Sequence, residues 1–263
     1  MKIEKKLWII LFAFGIFAIC FSGWIFRQST AREKLFCDNT IRCETKELKE
    51  GEIKAENIAL PKDFDVPKSI LFKTTHTIAE VWLDGEKIYE YGNEADAPGF
   101  MKTPGSCWHI VDIPGDSSGK NLEVRIIPVY EGYYGNEVSL VYGTRGDCIL
   151  KILTDSLGIP VISCGILFAA VICILLYCGA ARRKRSDKTE AKIEIFLNLG
   201  FFSLLVAVWT LVQCGFLQFL IPDGRTLYFV EYFSLFLFPV PFNFLLYDIC
   251  LLYTSDAADE LDG

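Results

Sequence analysis

Histidine is scarce in this 263-residue chain, and His76 and His109 are its only two copies. Neither stands in the Cys/His/carboxylate spacing that a zinc or iron site needs. The chain also lacks a glycine-rich phosphate loop and a nucleophile elbow. We therefore predict no catalytic residue, no metal ligand and no cofactor site in this sequence.

Charged residues are also few, at 22% of the chain, whereas 52% are apolar and the mean hydropathy is +0.32. This composition argues against a purely soluble protein. The largest polar block, residues 27–155, holds 16 Lys/Arg against 22 Asp/Glu. Because it lacks the basic stripe that binds a phosphate backbone, we predict no nucleic-acid partner.

Four apolar runs, each at least 20 residues long, account for the high hydropathy. Each can cross a bilayer core of about 30 Å as a helix. We predict membrane helices at 7–26, 157–179, 195–221 and 227–249. The first is interpreted as an uncleaved signal anchor, because Trp8 and Trp24 lie at its ends and no clean cleavage site follows. A cleaved signal peptide is the alternative.

Basic residues flank these helices unevenly, which predicts the topology. Lysines precede the first helix in residues 1–6, and residues 180–194 hold six Lys/Arg, so both segments are expected in the cytoplasm. Residues 27–155 and the short turn 222–226 then lie outside the cell. The lipid bilayer is the first predicted partner.

Four cysteines fall in the outer block, at positions 37, 43, 107 and 148. An even number in a compartment that can be oxidising allows disulfides, in three connectivities. We predict the pairs Cys37–Cys43 and Cys107–Cys148. Four unpaired thiols are the alternative, and the cysteines of the apolar runs are expected to pack as small hydrophobic residues.

Short runs of β-forming residues follow Gly51, separated by turn residues. Asp84-Gly85 joins two of them and tolerates the positive φ angles of a tight hairpin. In the run 121–127, apolar and charged residues alternate, which indicates a strand with one buried face. We predict an antiparallel β-sandwich, a jelly roll, over residues 27–155.

Aromatic residues are the candidate ligand contacts, because flat rings with polar tips suit sugars and peptides. The candidates are Trp82, Trp108, Tyr130, Tyr133 and Tyr134. For the two tryptophans, packing in the domain core is the competing interpretation, and for Tyr133 and Tyr134 it is an ordinary loop.

Pro239 and Pro241 interrupt the last apolar run, remove two backbone donors and predict a hinge in that helix. Polar residues also lie at or inside the apolar runs, where inter-helical hydrogen bonding is expected and a signal-relay role is the alternative. They are Asn198, Gln213, Gln218 and Glu231, and Asp248 is expected at the cytoplasmic interface.

Three segments carry a resemblance: VWLDGEKIYEYG at 81–92, TPGSCWHIVDIP at 103–114 and GKNLEVRIIPVY at 119–130. They resemble the extracellular jelly-roll, galactose-binding-like sensor domain of bacterial membrane signalling proteins. With the helices and the stretch 209–248, the chain resembles seven-transmembrane receptors with diverse intracellular signalling modules. It is most similar to clostridial versions that end in a GGDEF diguanylate cyclase domain.

The residues that end the chain, CLLYTSDAADE at 250–260, read as the translation of a sequencing-library adapter. We therefore interpret 250–263 as an artefactual tail and the chain as the N-terminal fragment of a longer bacterial protein. The resemblance implies that the missing part is a cytoplasmic output domain. A diguanylate cyclase is expected and a histidine kinase is the competitor; neither active site lies in this fragment.

These expectations combine into a multi-pass protein of the bacterial cell membrane with a sensory outer domain. The resemblance implies an extracellular small-molecule ligand, with a carbohydrate as the leading class, and a homodimer. The alternative is a membrane-anchored carbohydrate-binding or envelope scaffold protein without signalling output. A glycosidase module is a third option, but the sequence selects no carboxylate pair for it.

Overall fold

The computed structural model describes residues 40–41, 45–47, 53–93, 98–130, 139–182 and 191–262. The chain forms two compact units. One, here called the two-sheet unit, consists of the described residues of Arg27–Ser156 together with Gly215–Tyr228. The other, the helical unit, consists of those of Leu157–Cys214 and Phe229–Gly263. The predicted first membrane helix, 7–26, lies outside the described residues.

Sheet A of the two-sheet unit has four antiparallel strands in the order β1-β9-β4-β7. The strands are β1 (Thr40–Ile41), β4 (Lys68–Thr75), β7 (Ser106–Ile113) and β9 (Leu140–Gly143). Among the described strands, β7 lies at one edge of this sheet, with β4 as its partner on one side only.

Sheet B has five antiparallel strands in the order β2-β3-β8-β5-β6. The strands are β2 (Thr45–Glu47), β3 (Ile53–Ala59), β5 (Thr77–Leu83), β6 (Glu86–Tyr91) and β8 (Asn121–Pro128). The chain passes from sheet A to sheet B at a single residue, His76, between β4 and β5.

Residue alternation explains why these strands form and which face they bury. In β5, every second residue from Thr77 to Leu83 is buried, and β8 buries Leu122, Val124 and Ile126. These side chains join those of sheet A in one shared core. Fully burying one such aliphatic side chain contributes about 1.5–3 kcal/mol, so this core supplies most of the stability of the unit.

The predicted hairpin is confirmed. Strands β5 and β6 pair across Asp84-Gly85, whose φ angles are +48° and +84°. The Asp84 carboxylate accepts a hydrogen bond of 2.8 Å from the backbone N–H of Asn121, which ties the turn to β8. Glycine avoids the steric cost that a Cβ brings at such an angle.

Helix α1 (Arg145–Ser156) belongs to the two-sheet unit. It begins after Thr144, whose backbone N–H and hydroxyl both bond to the Asp147 carboxylate. Its buried residues Cys148 and Ile152 pack with Leu71 of β4. Sheet A therefore has apolar contacts on both faces, with the shared core on one side and α1 on the other.

The remaining helices are α2 (Gly158–Ala181), α3 (Ala191–Val212), α4 (Gly224–Leu237) and α5 (Pro239–Asp262). Three stretches among the described residues are long and apolar enough to span a membrane: Gly158–Ala181, Ile193–Val212 and Gly224–Thr254. This supports a membrane protein. Large apolar side chains such as Phe236, 75% exposed, lie on their surfaces, as expected for helices that face lipid.

Helix α3 ends at Val212, nine residues before the predicted end of that span at 221. Hydropathy alone does not detect this end, because the residues that follow remain apolar. Gly215–Phe219 forms instead a short 3-10 helix that belongs to the two-sheet unit.

Within the helical unit, polar groups link the helices as predicted for Asn198. Its side-chain amide on α3 donates a 2.7 Å hydrogen bond to the Asp248 carboxylate on α5. Asp248 is 3% exposed, so its side chain is buried within the helical unit. Ser163 on α2 likewise bonds to Thr210 on α3 at 2.9 Å. Such bonds contribute to helix association in a bilayer.

The Pro239/Pro241 segment breaks the last helix between α4 and α5, at Phe238. Pro239 opens α5, a position at which its missing N–H costs nothing. A groove of about 380 Å³ lies beside this break in the helical unit, lined by residues of α3, α4 and α5 that include Leu204, Leu237 and Pro241.

Candidate functional site

Trp82 lies on the face of sheet B that points away from the shared core. Charged side chains lie against its ring. The Arg125 guanidinium lies 4.7 Å from the ring centroid and the Lys87 ammonium 5.6 Å from it. The indole N–H donates a 3.0 Å hydrogen bond to Glu80. Trp82 is therefore not a core residue, since it points away from the shared core and is surrounded by a charged cluster.

Trp108 lies on the face of β7 opposite to the shared core and packs, partly buried, against the Leu71–Cys148–Ile152 cluster. The Gln218 side chain binds the Trp108 backbone. The Trp108 N–H donates a hydrogen bond to Gln218 Oε1 at 2.8 Å, and the Trp108 carbonyl accepts one from Gln218 Nε2 at 2.5 Å. Gln218 was expected among the membrane helices. In the structure its amide instead acts like one residue of a neighbouring strand at the edge of sheet A.

Tyr130 is 43% exposed, and its ring centroid lies 6.3 Å from that of His76. The Tyr228 ring stands edge-on to that of His76, with 5.1 Å between the ring centroids. Tyr133 and Tyr134, the other two predicted contacts, lie outside the described residues. Of the three predicted ligand contacts that the structure describes, Tyr130 alone belongs to this aromatic group.

His76 itself is strained and half-buried. Its φ of +55° is uncommon for a residue with a side chain. Its Nδ1 lies 2.9 Å from the buried Thr103 hydroxyl, and burial lowers the pKa of the imidazole. Strained residues persist where the surrounding structure holds them in place, often at functional sites.

A buried polar network lies between the two sheets, and the sequence did not indicate it. His109 on β7 is 1% exposed and bonds to Thr74 at 2.7 Å and to Tyr89 at 3.0 Å. Burial lowers the pKa of His109 to about 3 and raises that of Tyr89 to about 12. Both groups are therefore neutral at pH 7 and act as hydrogen-bonding groups rather than charges.

Tyr91 extends this network to the beginning of α4. Its hydroxyl donates to the Pro104 carbonyl at 3.2 Å and accepts the Gly224 N–H at 3.0 Å. The Cys107 sulfur lies 3.0 Å away. Since the only hydroxyl hydrogen goes to Pro104, the Cys107 thiol is the donor in that contact. Burial raises the pKa values of both Tyr91 and Cys107.

The cysteines correct one prediction. Cys107 and Cys148 are free, buried thiols on different sides of sheet A, and Cys148 points to the Ser69 carbonyl at 3.7 Å. The predicted Cys107–Cys148 disulfide is therefore wrong, because two cysteines that bracket the domain's last third in sequence lie here on opposite faces of sheet A. The predicted Cys37–Cys43 pair lies outside the described residues.

Among the described residues, no group of three or more His, Cys, Asp or Glu side chains is arranged to hold a metal ion. Comparison with known proteins finds no match, neither to a family model nor to a curated protein nor to a solved structure. Among the described residues, two features bear on function: the aromatic group around His76 and the attachment of Gly215–Tyr228 to the sheets.

Proposed function

We propose that this chain is the sensory input part of a bacterial membrane receptor. Its outer domain senses a small molecule, and the membrane helices carry the signal towards a cytoplasmic output domain. One observation carries this proposal: Gly215–Tyr228, which follows one candidate membrane span and includes the first residues of the next, folds as part of the two-sheet unit. An anchored domain that only displays a binding surface has no need to hold a connection between membrane helices.

The fold and topology of the proposal extend the sequence expectations. Two antiparallel sheets around one core are compatible with a jelly-roll, galactose-binding-like sandwich. We place this domain outside the cell and the basic segment 180–194 in the cytoplasm, since the distribution of Lys and Arg favours that orientation. The resemblance to receptors with GGDEF output, and the homodimer that it implies, belong to the same proposal.

For the ligand we propose a carbohydrate or a similar polar small molecule, bound near Tyr130. This residue and Tyr228 both pack near the His76 ring, whose Nδ1 lies 2.9 Å from the buried Thr103 hydroxyl. Aromatic faces combined with a few fixed polar groups are typical of sites that bind sugars. Trp82 is a weaker contact, because Arg125 and Lys87 already lie over its ring.

Ligand binding to the full chain tests this proposal. The chain in lipid nanodiscs is heated with and without each member of a panel of mono- and oligosaccharides, and the unfolding midpoint is recorded. A bound ligand raises the midpoint, because it stabilises only the folded state. Tyr130→Ala is expected to abolish that rise, and Tyr232→Ala, on the exposed side of α4, to preserve it. If no saccharide raises the midpoint, the proposed ligand class is wrong.

The nature of the output is tested separately by one long sequencing read through the gene. A reading frame that continues after Ile249 into further membrane helices and a GGDEF or kinase domain supports the receptor. A stop codon directly after codon 263 contradicts it and leaves the anchored scaffold as the better explanation.

A further inference from the structure

The segment Gly215–Tyr228, here called the docked segment, meets the sheets at two places. We propose that it is a latch, which opens and closes as a unit while both sheets stay folded, and which passes this transition to α3 and α4. The inference rests on the proposed receptor function, since it assigns the step between the sensing domain and the helices.

The first place is the edge of sheet A. Gln218 forms both hydrogen bonds to the Trp108 backbone, which satisfies a donor and an acceptor of an edge strand. Beside it, a Cβ on Gly215 would come within 2.7 Å of the Trp108 indole nitrogen and 2.9 Å of the Ser156 hydroxyl. Only glycine allows the backbone to approach β7 and α1 this closely.

The second place is the beginning of α4. A Cβ on Gly224 would lie 2.6 Å from the Tyr91 hydroxyl and 2.8 Å from the Pro104 carbonyl, and closer still to the Cys107 sulfur. On the opposing loop, Gly105 has a φ of +81°, and a Cβ there would collide with the Gly224 carbonyl. Two backbones thus meet at glycines, and the Gly224 N–H finds its acceptor on Tyr91.

This second place depends on the relative position of the two sheets. Tyr91 is on β6 of sheet B, whereas Cys107 is on β7 of sheet A. The Tyr91 ring also lies 5.1 Å from that of His109, inside the network between the sheets. A ligand that shifts β6 against β7 therefore changes the geometry around the Gly224 N–H.

The docked segment is attached by polar contacts and close fit more than by apolar burial. Leu227 is buried, but Leu220 is 73% exposed, and Phe219 and Ile221 are exposed as well. Segments with few buried apolar contacts open at lower free energy than the core around them. At both ends the chain continues directly, through Cys214 and Phe229, into the helices of the other unit. Because α3 and α4 are covalently connected to the docked segment, we infer that opening of the latch changes the conformation of these helices.

Two native thiols report the opening. Cys107 is covered by Gly224, whereas Cys148 is covered by α1 and sheet A; both are at most 1% exposed. The full chain in lipid nanodiscs is treated with N-ethylmaleimide, and the labelling rate of each cysteine is measured by peptide mass spectrometry. Hydrogen exchange over 229–237 is recorded on the same samples as the readout on α4.

We expect Gln218→Ala and Tyr91→Phe, which each remove hydrogen bonds without adding bulk, to raise Cys107 labelling about tenfold. Gly224→Ala is expected to exceed both. Cys148 labelling stays at the wild-type rate, and exchange over 229–237 increases. The matched controls Tyr247→Phe and Gly99→Ala behave like wild type; Tyr247 is 62% exposed, and Gly99 has no atom near a Cβ position.

Three results overturn the latch. If labelling of Cys107 and Cys148 rises together in the variants, the whole two-sheet unit has loosened. If Cys107 labelling stays unchanged, the substituted contacts do not hold the docked segment in place. Faster Cys107 labelling with unchanged exchange over 229–237 means that opening is not passed to α4. No ligand is needed, so these failures are separate from a negative saccharide panel, which counts against the ligand and not against the latch.

Discussion

His109 shows what burial does to one titratable residue. It makes two hydrogen bonds at 2.7 and 3.0 Å, stacks near Phe72 at 4.8 Å and is almost completely enclosed. Enclosure disfavours the charged imidazole, which lowers its pKa to about 3. The residue therefore adds specificity to the core through neutral hydrogen bonds and makes the fold sensitive to acid.

The low pKa of His109 makes the free energy of unfolding depend on pH. The folded pKa of His109 lies below the ordinary value of about 6.5, so the unfolded state binds more protons between these two values. The free energy of unfolding should fall as the pH drops below about 6.5, by up to about 1.4 kcal/mol per pH unit. Thermal unfolding of the full chain between about pH 7.5 and pH 5 measures this, a range in which most carboxylates stay ionised.

The variant His109→Gln keeps hydrogen-bonding capacity but does not titrate, so its midpoint should change much less over the same range. His76→Gln is the matched control and removes a smaller part of the pH dependence, because His76 is only partly buried. Equal pH dependence in wild type and His109→Gln would show that other groups cause it.

At the scale of elements, the β5–β6 turn depends on backbone conformation alone. Gly85 has a φ of +84° and open space around its Cβ position, so an added methyl group meets no atom. We expect Gly85→Ala to destabilise the two-sheet unit by about 1 kcal/mol, the cost of a left-handed residue with a Cβ. Gly99→Ala, where space is equally open and φ is not left-handed, should leave the unfolding midpoint of the chain unchanged.

The break between α4 and α5 gives another element-scale prediction. Two prolines there lack N–H groups, and the Phe238 N–H bonds to Leu235 at 3.3 Å instead of one residue further back. The double variant Pro239→Ala with Pro241→Ala should join α4 and α5 and slow hydrogen exchange over 235–242. Exchange over Gly158–Ala181 serves as the reference; a change of equal size there would indicate a general effect of the substitutions.

The elements that the sequence predicted well are those governed by local patterns. Alternation located β8, and the Asp-Gly pair between two runs of β-forming residues located the hairpin of β5 and β6. The end of α3 and the role of Gln218 depend instead on contacts between distant parts of the chain, and hydropathy gives no sign of them. The sequence did not predict the His109 network for the same reason, because its partners Thr74 and Tyr89 lie on different strands.

At the scale of the whole molecule, three candidate spans support a membrane protein, while the orientation remains a prediction from charge. Alkaline phosphatase fused after Gly143 should be active, because that enzyme folds outside the cytoplasm. Green fluorescent protein fused after Lys188 should fluoresce, because it matures in the cytoplasm. Exchanging the two reporters between the sites provides the control, and the opposite pattern would reverse the topology.

The two-sheet unit is discontinuous in sequence, and this has a consequence for biosynthesis. The ribosome makes residues 27–156 before Gln218 and Gly224, which follow only after α2 and α3. Until then, the Trp108 backbone lacks its hydrogen bonds to Gln218, and the Tyr91 hydroxyl lacks its bond from the Gly224 N–H. The domain is therefore completed only once two helices have been synthesised and the chain has returned. An excised fragment that ends at Ser156 lacks the residues that cover that edge and the Cys107 thiol, so the two-sheet unit is complete only after α2 and α3 have been made.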